Sequence, residues 1–252
     1  MSDLTDCYGH ALAEIDVAIL AGGLGTRIRP VLGDLPKFLA PVEGRAYADY
    51  LFEWLASYGV RRVVLCLGHL AHHIAEAVER DPPPFEIVFS VEPEPLGTAG
   101  ALRHARAHLR SDPVLVLNGD SFVRADLGEF LAKHRMGGAA ATLLCTEVPD
   151  TDRFGKVELG TGGGILGFSE KRPDDTGPGT VNAGIYLMNR IFLDEIATGT
   201  ARSLEREIFA EQPAGRLMAY SGVFPFIDIG TPDDLADATA ARLTPNMTGR
   251  HS

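Results

Sequence analysis

The sequence predicts an α/β fold: a mostly parallel central sheet flanked by helices, followed by a smaller α+β portion. Three observations predict it. Apolar runs alternate with segments of helical period from Val17 to Leu117, the signature of β-then-α units that cover a parallel sheet on both faces. The first run stops at a glycine cluster, as a buried parallel strand feeding a loop does. Beyond residue 135 the runs shorten and glycine turns separate them, which marks a mixed second half.

Val17 to Ala21 is the first strand. Leu51, Phe52, Leu55 and Tyr58 recur at helical spacing within Tyr47 to Tyr58, and Gly59 supplies the stop. Val63 to Leu67 is the second strand. His69 to Val78 is a helix, ended by Asp81 and the prolines 82–84, and Phe85 to Val91 is the third strand. Thr98 to Leu109 has helical period, and Val114 to Leu117 runs as a strand into Asn118-Gly119-Asp120. In the second half, strands are expected at 139–147, 155–159, 165–169, 182–188 and 217–227. Glycine-rich 160–164 reads as a hairpin connection and 173–179 as an exposed loop. Thr231 and Pro232 start a last helix running to Arg242.

The 252 residues fit one large α/β domain or two small ones. The expected division is an N-terminal extension (1–15), a single domain (16–243) with halves at about 16–135 and 136–243, and a tail (244–252) without periodicity. Hydrophobic residues at 45% and charged residues at 23% describe an ordinary folded protein. With 34 acidic against 23 basic side chains, the net charge of −11 disfavours wrapping nucleic acid or settling on an anionic membrane. Any phosphate site must be local. No apolar run approaches the ~20 residues of a membrane span, and the acidic first sixteen residues do not read as a signal peptide. A cytoplasmic location is expected. Cys7, Cys66 and Cys145 are odd in number and widely spaced, which suits reduced core thiols better than disulfides or zinc.

Directly after the first strand stands Ala21-Gly22-Gly23-Leu24-Gly25-Thr26-Arg27. Its glycines let the backbone present several N–H groups to an anion, Thr26 adds a hydroxyl donor, and Arg27 adds a bidentate charge. The Walker pattern and the dinucleotide fingerprint both fail: no Gly-Lys-Ser/Thr follows, and Ile28 stands where a third spaced glycine is needed. Ten residues beyond Arg27 comes Pro36-Lys37, whose lysine can fold back toward the same phosphates. A plain turn would explain the glycines alone, and a solvated surface residue Lys37 alone. Their coincidence favours a triphosphate site.

Asp120 should sit at the carboxyl end of a central strand, where open α/β sheets bind ligands. Asp228 lies between Ile227 and Ile229, an unfavourable place for a carboxylate without a cation or hydrogen bonds. Together the two could hold a magnesium ion that substrate phosphates complete. The bland alternatives are a turn residue for Asp120 and a helix-capping or salt-bridged group for Asp228. His69, His72 and His73 read as a helix start or surface rather than a metal cluster.

These residues resemble the sugar-1-phosphate nucleotidyltransferases, the pyrophosphorylases that make NDP-sugars. The likeness covers about residues 16–242. It rests on the glycine loop, on Pro36-Lys37, on Glu92 to Ala101, on Asn118-Gly119-Asp120, on Phe168-Ser169-Glu170-Lys171, on Asn182 to Tyr186 and on Asp228 to Pro232. The stretch Gly33 to Val42 looks most like the guanylyltransferases of D-glycero-α-D-manno-heptose 1-phosphate, with the mannose-1-phosphate guanylyltransferases as near neighbours. Phe38 stands where many relatives have proline, and His69 where tyrosine is frequent.

The resemblance implies the nucleotide-diphospho-sugar transferase fold: a Rossmann-like nucleotide half and a sugar-binding half on one sheet. It implies that Ala21, Gly22, Gly23, Gly25, Thr26, Arg27, Glu92, Gly97 and Thr98 bind the nucleotide. Arg27, Lys37 and Asp120 would be catalytic, Asp120 and Asp228 would hold Mg2+, and Gly155, Glu170, Lys171 and Asn182 would bind the sugar 1-phosphate. The chain ends before any hexapeptide-repeat domain, so a single activity is expected. Glu92 stands where uridylyl and thymidylyl relatives often carry glutamine. A carboxylate only accepts, and guanine offers it adjacent N1–H and N2–H donors, whereas adenine, uracil and thymine offer no such pair. GTP is therefore the expected nucleotide. The expected partners are these small molecules, neither nucleic acid nor membrane, with a homo-oligomer left open. A regulatory protein that binds nucleotide-sugars without turnover is a competing class, which intact Arg27, Lys37, Asp120 and Asp228 disfavour. A glycosyltransferase would want an Asp-x-Asp pair where the sequence has Asp120-Ser121-Phe122.

Overall fold

The structure is a computed structural model and describes residues 10–151, 154–169 and 177–244. Cys7, most of the expected 173–179 loop and the tail beyond Thr244 lie outside the described residues.

Strand β1 (Val17–Leu20) runs into the glycine loop, followed by a short helix α1 (Arg29–Leu32), a 3-10 turn at Lys37–Leu39 and a small hairpin of β2 (Pro41–Val42) and β3 (Arg45–Ala46). The expected alternation then appears as α2 (Tyr47–Ser57), β4 (Arg62–Leu67), α3 (Ala71–Arg80), β5 (Glu86–Val91), α4 (Gly97–Ala105) and β6 (Val114–Asn118). Next come β7 (Ser121–Val123), α5 (Leu127–Gly137), β8 (Ala141–Val148), β9 (Lys156–Leu159), β10 (Ile165–Ser169), β11 (Gly179–Met188) and α6 (Arg190–Thr198). A π-helical segment at Leu204–Phe209, β12 (Leu217–Gly222), β13 (Phe226–Asp228), α7 (Pro232–Asp237) and α8 (Ala240–Leu243) complete the chain.

β5, β4, β1 and β6 lie side by side and parallel. β11 pairs antiparallel with β6 and carries β8 and β9, which in turn hold β12 and β10 in the same sheet. The sheet is thus parallel through the first half and mixed beyond it. Side-chain alternation explains its two covered faces: Val17 and Ile19 join the core under α2, whereas Ala18 joins the core with Leu102 and Phe192 on the other face. Cys66 and Cys145 are buried free thiols, and burial pushes both up to about 12, so they are inert at neutral pH. Among the described residues no helix is long and apolar enough to cross a membrane.

Topology decides where a ligand can sit. The chain moves from β1 to β4 and β5 on one side, then returns to place β6 on the other side of β1. The crevice between the carboxyl ends of β1 and β6 is therefore a switch point, the usual ligand position in open α/β sheets. Leu20 and Asn118 are register partners at that end, so the glycine loop and the Asn118-Gly119-Asp120 turn emerge side by side.

Two sequence expectations need correction. The strand expected at 217–227 is two strands. After Gly222 the chain leaves β8, is pinned where Phe224 N–H donates to Thr146 Oγ1 at 3.0 Å, and re-enters pairing with β7 as β13. Pro225 lies in the break, where a residue lacking an N–H is tolerated. The helix expected from Pro232 to Arg242 is also two: Ala238 takes an extended backbone (φ −73°, ψ 123°) and Thr239 restarts the coil as the cap of α8.

Gly97 opens α4 with φ +78°, and a Cβ there would collide with the Arg202 carbonyl oxygen. Gly97→Ala is expected to destabilise the fold by about 1–3 kcal/mol, measured by denaturant unfolding. A change below about 0.5 kcal/mol, the range of an ordinary surface substitution, would show that the Pro95–Thr98 turn relaxes freely.

Candidate active site

A cavity of about 370 Å3 occupies the switch-point crevice. Its wall includes residues 20–27 of β1 and the glycine loop, Pro36 to Phe38, Glu92, Pro95, Gly97, Thr98, Ala101, Asn118 to Asp120, and Gly230. Eleven of the expected site residues line it: Ala21, Gly22, Gly23, Gly25, Thr26, Arg27, Lys37, Glu92, Gly97, Thr98 and Asp120. Gly25 adopts φ +58°, which lets the loop fold over the crevice at no steric cost.

Close backbone approach forms the floor. Gly119 N–H donates to Leu20 O at 2.9 Å, and a Cβ on Gly119 would lie 3.0 Å from Leu20 O and from Ala21 Cβ. Gly68, at the end of β4, comes as close to Gly22: its Cβ would meet Gly22 O at 2.8 Å. Neither Gly119 nor Gly68 was among the expected site residues, although Gly119 stands inside the Asn-Gly-Asp motif.

Lys37 Nζ sits 2.7 Å from Asp120 Oδ2, with 14% of the lysine side chain and 35% of the aspartate exposed. The 3-10 turn after Pro36 aims the ammonium inward, and Trp54 of α2, packed 4.9 Å from the Phe122 ring, supports the strand that follows Asp120. Asp228 arrives from far along the chain on β13, which pairs antiparallel with β7 so that Asp228 and Ser121 are register partners and Ile229 N–H donates to Asp120 O at 3.0 Å. The ribbon puts the two acids beside each other. A Cβ on Gly230 would come within 2.5 Å of Asp228 Oδ1 and 3.5 Å of Arg27 Nη2, so Arg27 and Asp228 flank one bare glycine.

The buried Tyr47 phenol reports the same convergence. Desolvation pushes it well above its ordinary value, and the charges of Asp120 and Asp228 both push it further. Its oxygen has no hydrogen-bond partner among the described residues.

Glu92 is 9% exposed, with Oε2 accepting from Leu96 N–H at 3.1 Å and Oε1 lying against Gly22 and Gly68. Burial raises its carboxyl above the usual range, opposed by the Leu96 hydrogen bond and by His104 and Arg202. The carboxylate faces the cavity with lone pairs to spare.

Thr98 lines the cavity, but its hydroxyl donates to Glu205 at 3.2 Å and accepts from Leu204 N–H at 2.8 Å. Gly155 and Asn182 lie outside the cavity wall. Gly155 follows Phe154, whose ring packs 5.2 Å from Phe226, two residues before Asp228. Asn182 sits on β11 at a bulge, its amide tied to Tyr186 and Gly184. Glu170 and Lys171 lie outside the described residues. His72 and His73 occupy α3 with rings 4.0 Å apart, and the described residues contain no group of three or more His, Cys, Asp or Glu arranged to hold a metal.

The model of a protein family described as "Nucleotidyl transferase" matches residues 17–244. The chain belongs to that family. The enzyme is 32% identical to the D-glycero-α-D-manno-heptose 1-phosphate guanylyltransferase of Campylobacter jejuni over 218 residues, 86% of this chain and 95% of that one. It is also 32% identical to the mannose-1-phosphate guanylyltransferase of Mycobacterium tuberculosis, over 91% of this chain and 65% of that longer protein. Among solved structures, HddC from Yersinia pseudotuberculosis in complex with GMP-PN superposes with a TM-score of 0.79 at 31% identity, covering 89% of this chain and 97% of that one. The enzyme is a sugar-1-phosphate nucleotidyltransferase of the nucleotide-diphospho-sugar transferase fold.

Proposed function

We propose that the enzyme joins GTP to D-glycero-α-D-manno-heptose 1-phosphate, releasing pyrophosphate and leaving a GDP-sugar. One observation carries the assignment of roles: the glycine loop with Arg27 and the Lys37–Asp120 pair line one cavity, and remote Asp228, itself outside the lining, reaches Gly230 of that wall beside Arg27. The relatives of this architecture that are named for GTP chemistry favour the nucleotide, and the Campylobacter enzyme favours the heptose.

The loop N–H groups, Thr26 and Arg27 would hold the triphosphate, while Glu92 receives the guanine N1–H and N2–H pair. Gly155, Glu170, Lys171 and Asn182 would seat the sugar 1-phosphate from the second half of the chain. An oxygen of that phosphate attacks the α-phosphorus, the α–β bridging bond breaks, and pyrophosphate leaves. The nucleophile is already anionic at neutral pH, so no protein base is needed, and the work is to align two anions and neutralise the charge that gathers between them. Lys37, released from Asp120 toward the phosphates, Arg27 and Lys171 supply part of that countercharge.

The acids fit Mg2+. Asp120, immediately before β7, and Asp228, the last residue of its partner β13, are two hard oxygen donors at one end of the ribbon, both near enough to Tyr47 to raise its pKa. A pair of carboxylates completed by phosphate oxygens and water is the usual magnesium arrangement. Bound there, Mg2+ supplies further charge neutralisation on the phosphates.

Turnover with GTP, ATP, UTP, CTP and dTTP tests the base, and a panel of sugar 1-phosphates with GTP fixed tests the sugar. The account expects GTP and the heptose to lead; a mannose 1-phosphate preference would move the sugar assignment to the mycobacterial type. Glu92 adds a pH signature. Only its carboxylate accepts both guanine donors, so protonation weakens GTP, and bound GTP in turn lowers the pKa that burial has raised. KM for GTP is therefore expected to rise as pH falls through a value above that of an ordinary glutamate, and Glu92→Gln should abolish this acid limb. An unchanged limb in that variant would detach Glu92 from the base.

A further inference from the structure

Between the nucleotide cavity and β11 runs a chain of hydrogen bonds centred on Glu205. Its Oε2 accepts from the Thr98 hydroxyl at 3.2 Å and from the Ser203 hydroxyl at 3.1 Å, and its Oε1 accepts from the Tyr186 hydroxyl at 3.2 Å. Tyr186 is fully buried, and its oxygen accepts from Asn182 Nδ2 at 2.9 Å. Asn182 Oδ1 is fixed in turn by Gly184 N–H at 3.0 Å. One side chain thus touches a wall residue of the cavity at one end and, through a single phenol, the amide of Asn182 at the other.

Proton inventory makes the chain directional. A hydroxyl has one proton. Tyr186 gives its proton to Glu205, so it can only accept from Asn182, which forces the amide nitrogen toward the ring and the amide oxygen toward Gly184. Thr98 accepts from Leu204 N–H and must give its proton to Glu205. A carboxylate, which only accepts, is the one acidic or amide group that satisfies both arms at once. A glutamine would turn a donor toward one of them and reverse it. Glu205 reaches this place from a π-helical segment, Leu204–Phe209, a wide turn that recurs at functional sites. The same segment is tied to the cavity wall where Leu204 N–H donates to Thr98 Oγ1 at 2.8 Å, and just before it Arg202 O accepts from Ala99 N–H at 2.9 Å.

We propose that Glu205 is a positioning residue that couples the two substrate seats, setting the Thr98 turn of the nucleotide cavity and the Asn182 amide of the sugar 1-phosphate seat through one carboxylate. The proposal rests on the nucleotidyl-transfer reading of the cavity and of Asn182. Ordering by the nucleotide at Thr98 then lowers what remains to be ordered at Asn182, and the coupling is reciprocal.

The test is binding, separated from turnover. Calorimetry would measure the affinity for D-glycero-α-D-manno-heptose 1-phosphate, and for mannose 1-phosphate, with and without a non-hydrolysable GTP analogue. The wild-type enzyme should bind its sugar 1-phosphate at least about fivefold more tightly with the analogue present, within the usual range of coupling between sites. In Glu205→Gln the ratio should fall to within about twofold of unity. Tyr186→Phe keeps the ring, cuts only the Asn182 arm, and should abolish the ratio equally; it decides alone if Glu205→Gln fails to fold. A folded variant of either kind that keeps the wild-type ratio overturns the proposal, as does a wild-type enzyme without coupling. Failure of the catalytic reading is distinct: both ligands would bind, yet no pyrophosphate would form in the wild-type enzyme.

Discussion

Alanine at position 27 is expected to lower kcat by about 10²–10³-fold, the loss that follows removal of one preorganised donor at a site of developing charge. Arg27 is exposed on the glycine loop, so thermal unfolding should be unchanged. Its guanidinium lies at Gly230 beside Asp228, where the triphosphate and a divalent ion would meet. Lysine restores charge without the bidentate fork, so Arg27→Lys should recover only part of the loss. Steady-state kinetics at saturating substrates checks this, and a kcat within about threefold of wild type, well short of one donor's usual contribution, would remove Arg27 from the catalytic group.

Asp228→Asn is the second large effect. The substitution keeps size and one acceptor oxygen but removes the charge. Losing a carboxylate from a divalent site forfeits several kcal/mol of charge stabilisation, and each 1.4 kcal/mol is tenfold, so turnover should fall about 10²–10³-fold. The loss should be partly recovered at high Mg2+, because the weakened site still holds Asp120. A titration that shows an unaltered Mg2+ requirement would place Asp228 outside the metal site. The half-buried side chain lies at the end of the β13 ribbon, and the ribbon's backbone pairing with β7 does not use the carboxylate, so the variant should fold.

The glycine loop and its register were legible because a buried four-residue strand and a glycine run are local signals. β4, β5 and β6 were legible for the same reason. α5 was not read: Leu127, Phe130 and Leu131 carry its buried face with His134, a thin apolar stripe. Its signals were nevertheless present, Asp126 capping Gly128 and Glu129 N–H and Gly138 in the left-handed conformation at the other end. The split at Ala238 was hidden because the apolar period continues through it. The pairing of Asp120 with Asp228 came from chemistry, a carboxylate between apolar neighbours wanting a cation, and then from family resemblance; spacing offered nothing, since a ribbon of two three-residue strands leaves almost no periodic trace. Gly68 and Gly184 matter through contacts with Gly22 and Asn118, which lie on or just beyond strands that neighbour in the sheet but are distant in sequence. Glu205 was invisible for the same reason: of the donors to its carboxylate only Ser203 is near in sequence, Thr98 and Tyr186 being distant, and an isolated Glu in a charged segment reads as solvated.

The most direct test of the central claim, that these cations and acids serve one nucleotidyl transfer, is pyrophosphate release by the wild-type enzyme from GTP and D-glycero-α-D-manno-heptose 1-phosphate, with the nucleotide-sugar measured in the same reaction. Pyrophosphate and GDP-sugar should appear in equal amounts and both should stop when Mg2+ is chelated. Binding of GTP without either product, or pyrophosphate formed without a GDP-sugar, would contradict the account.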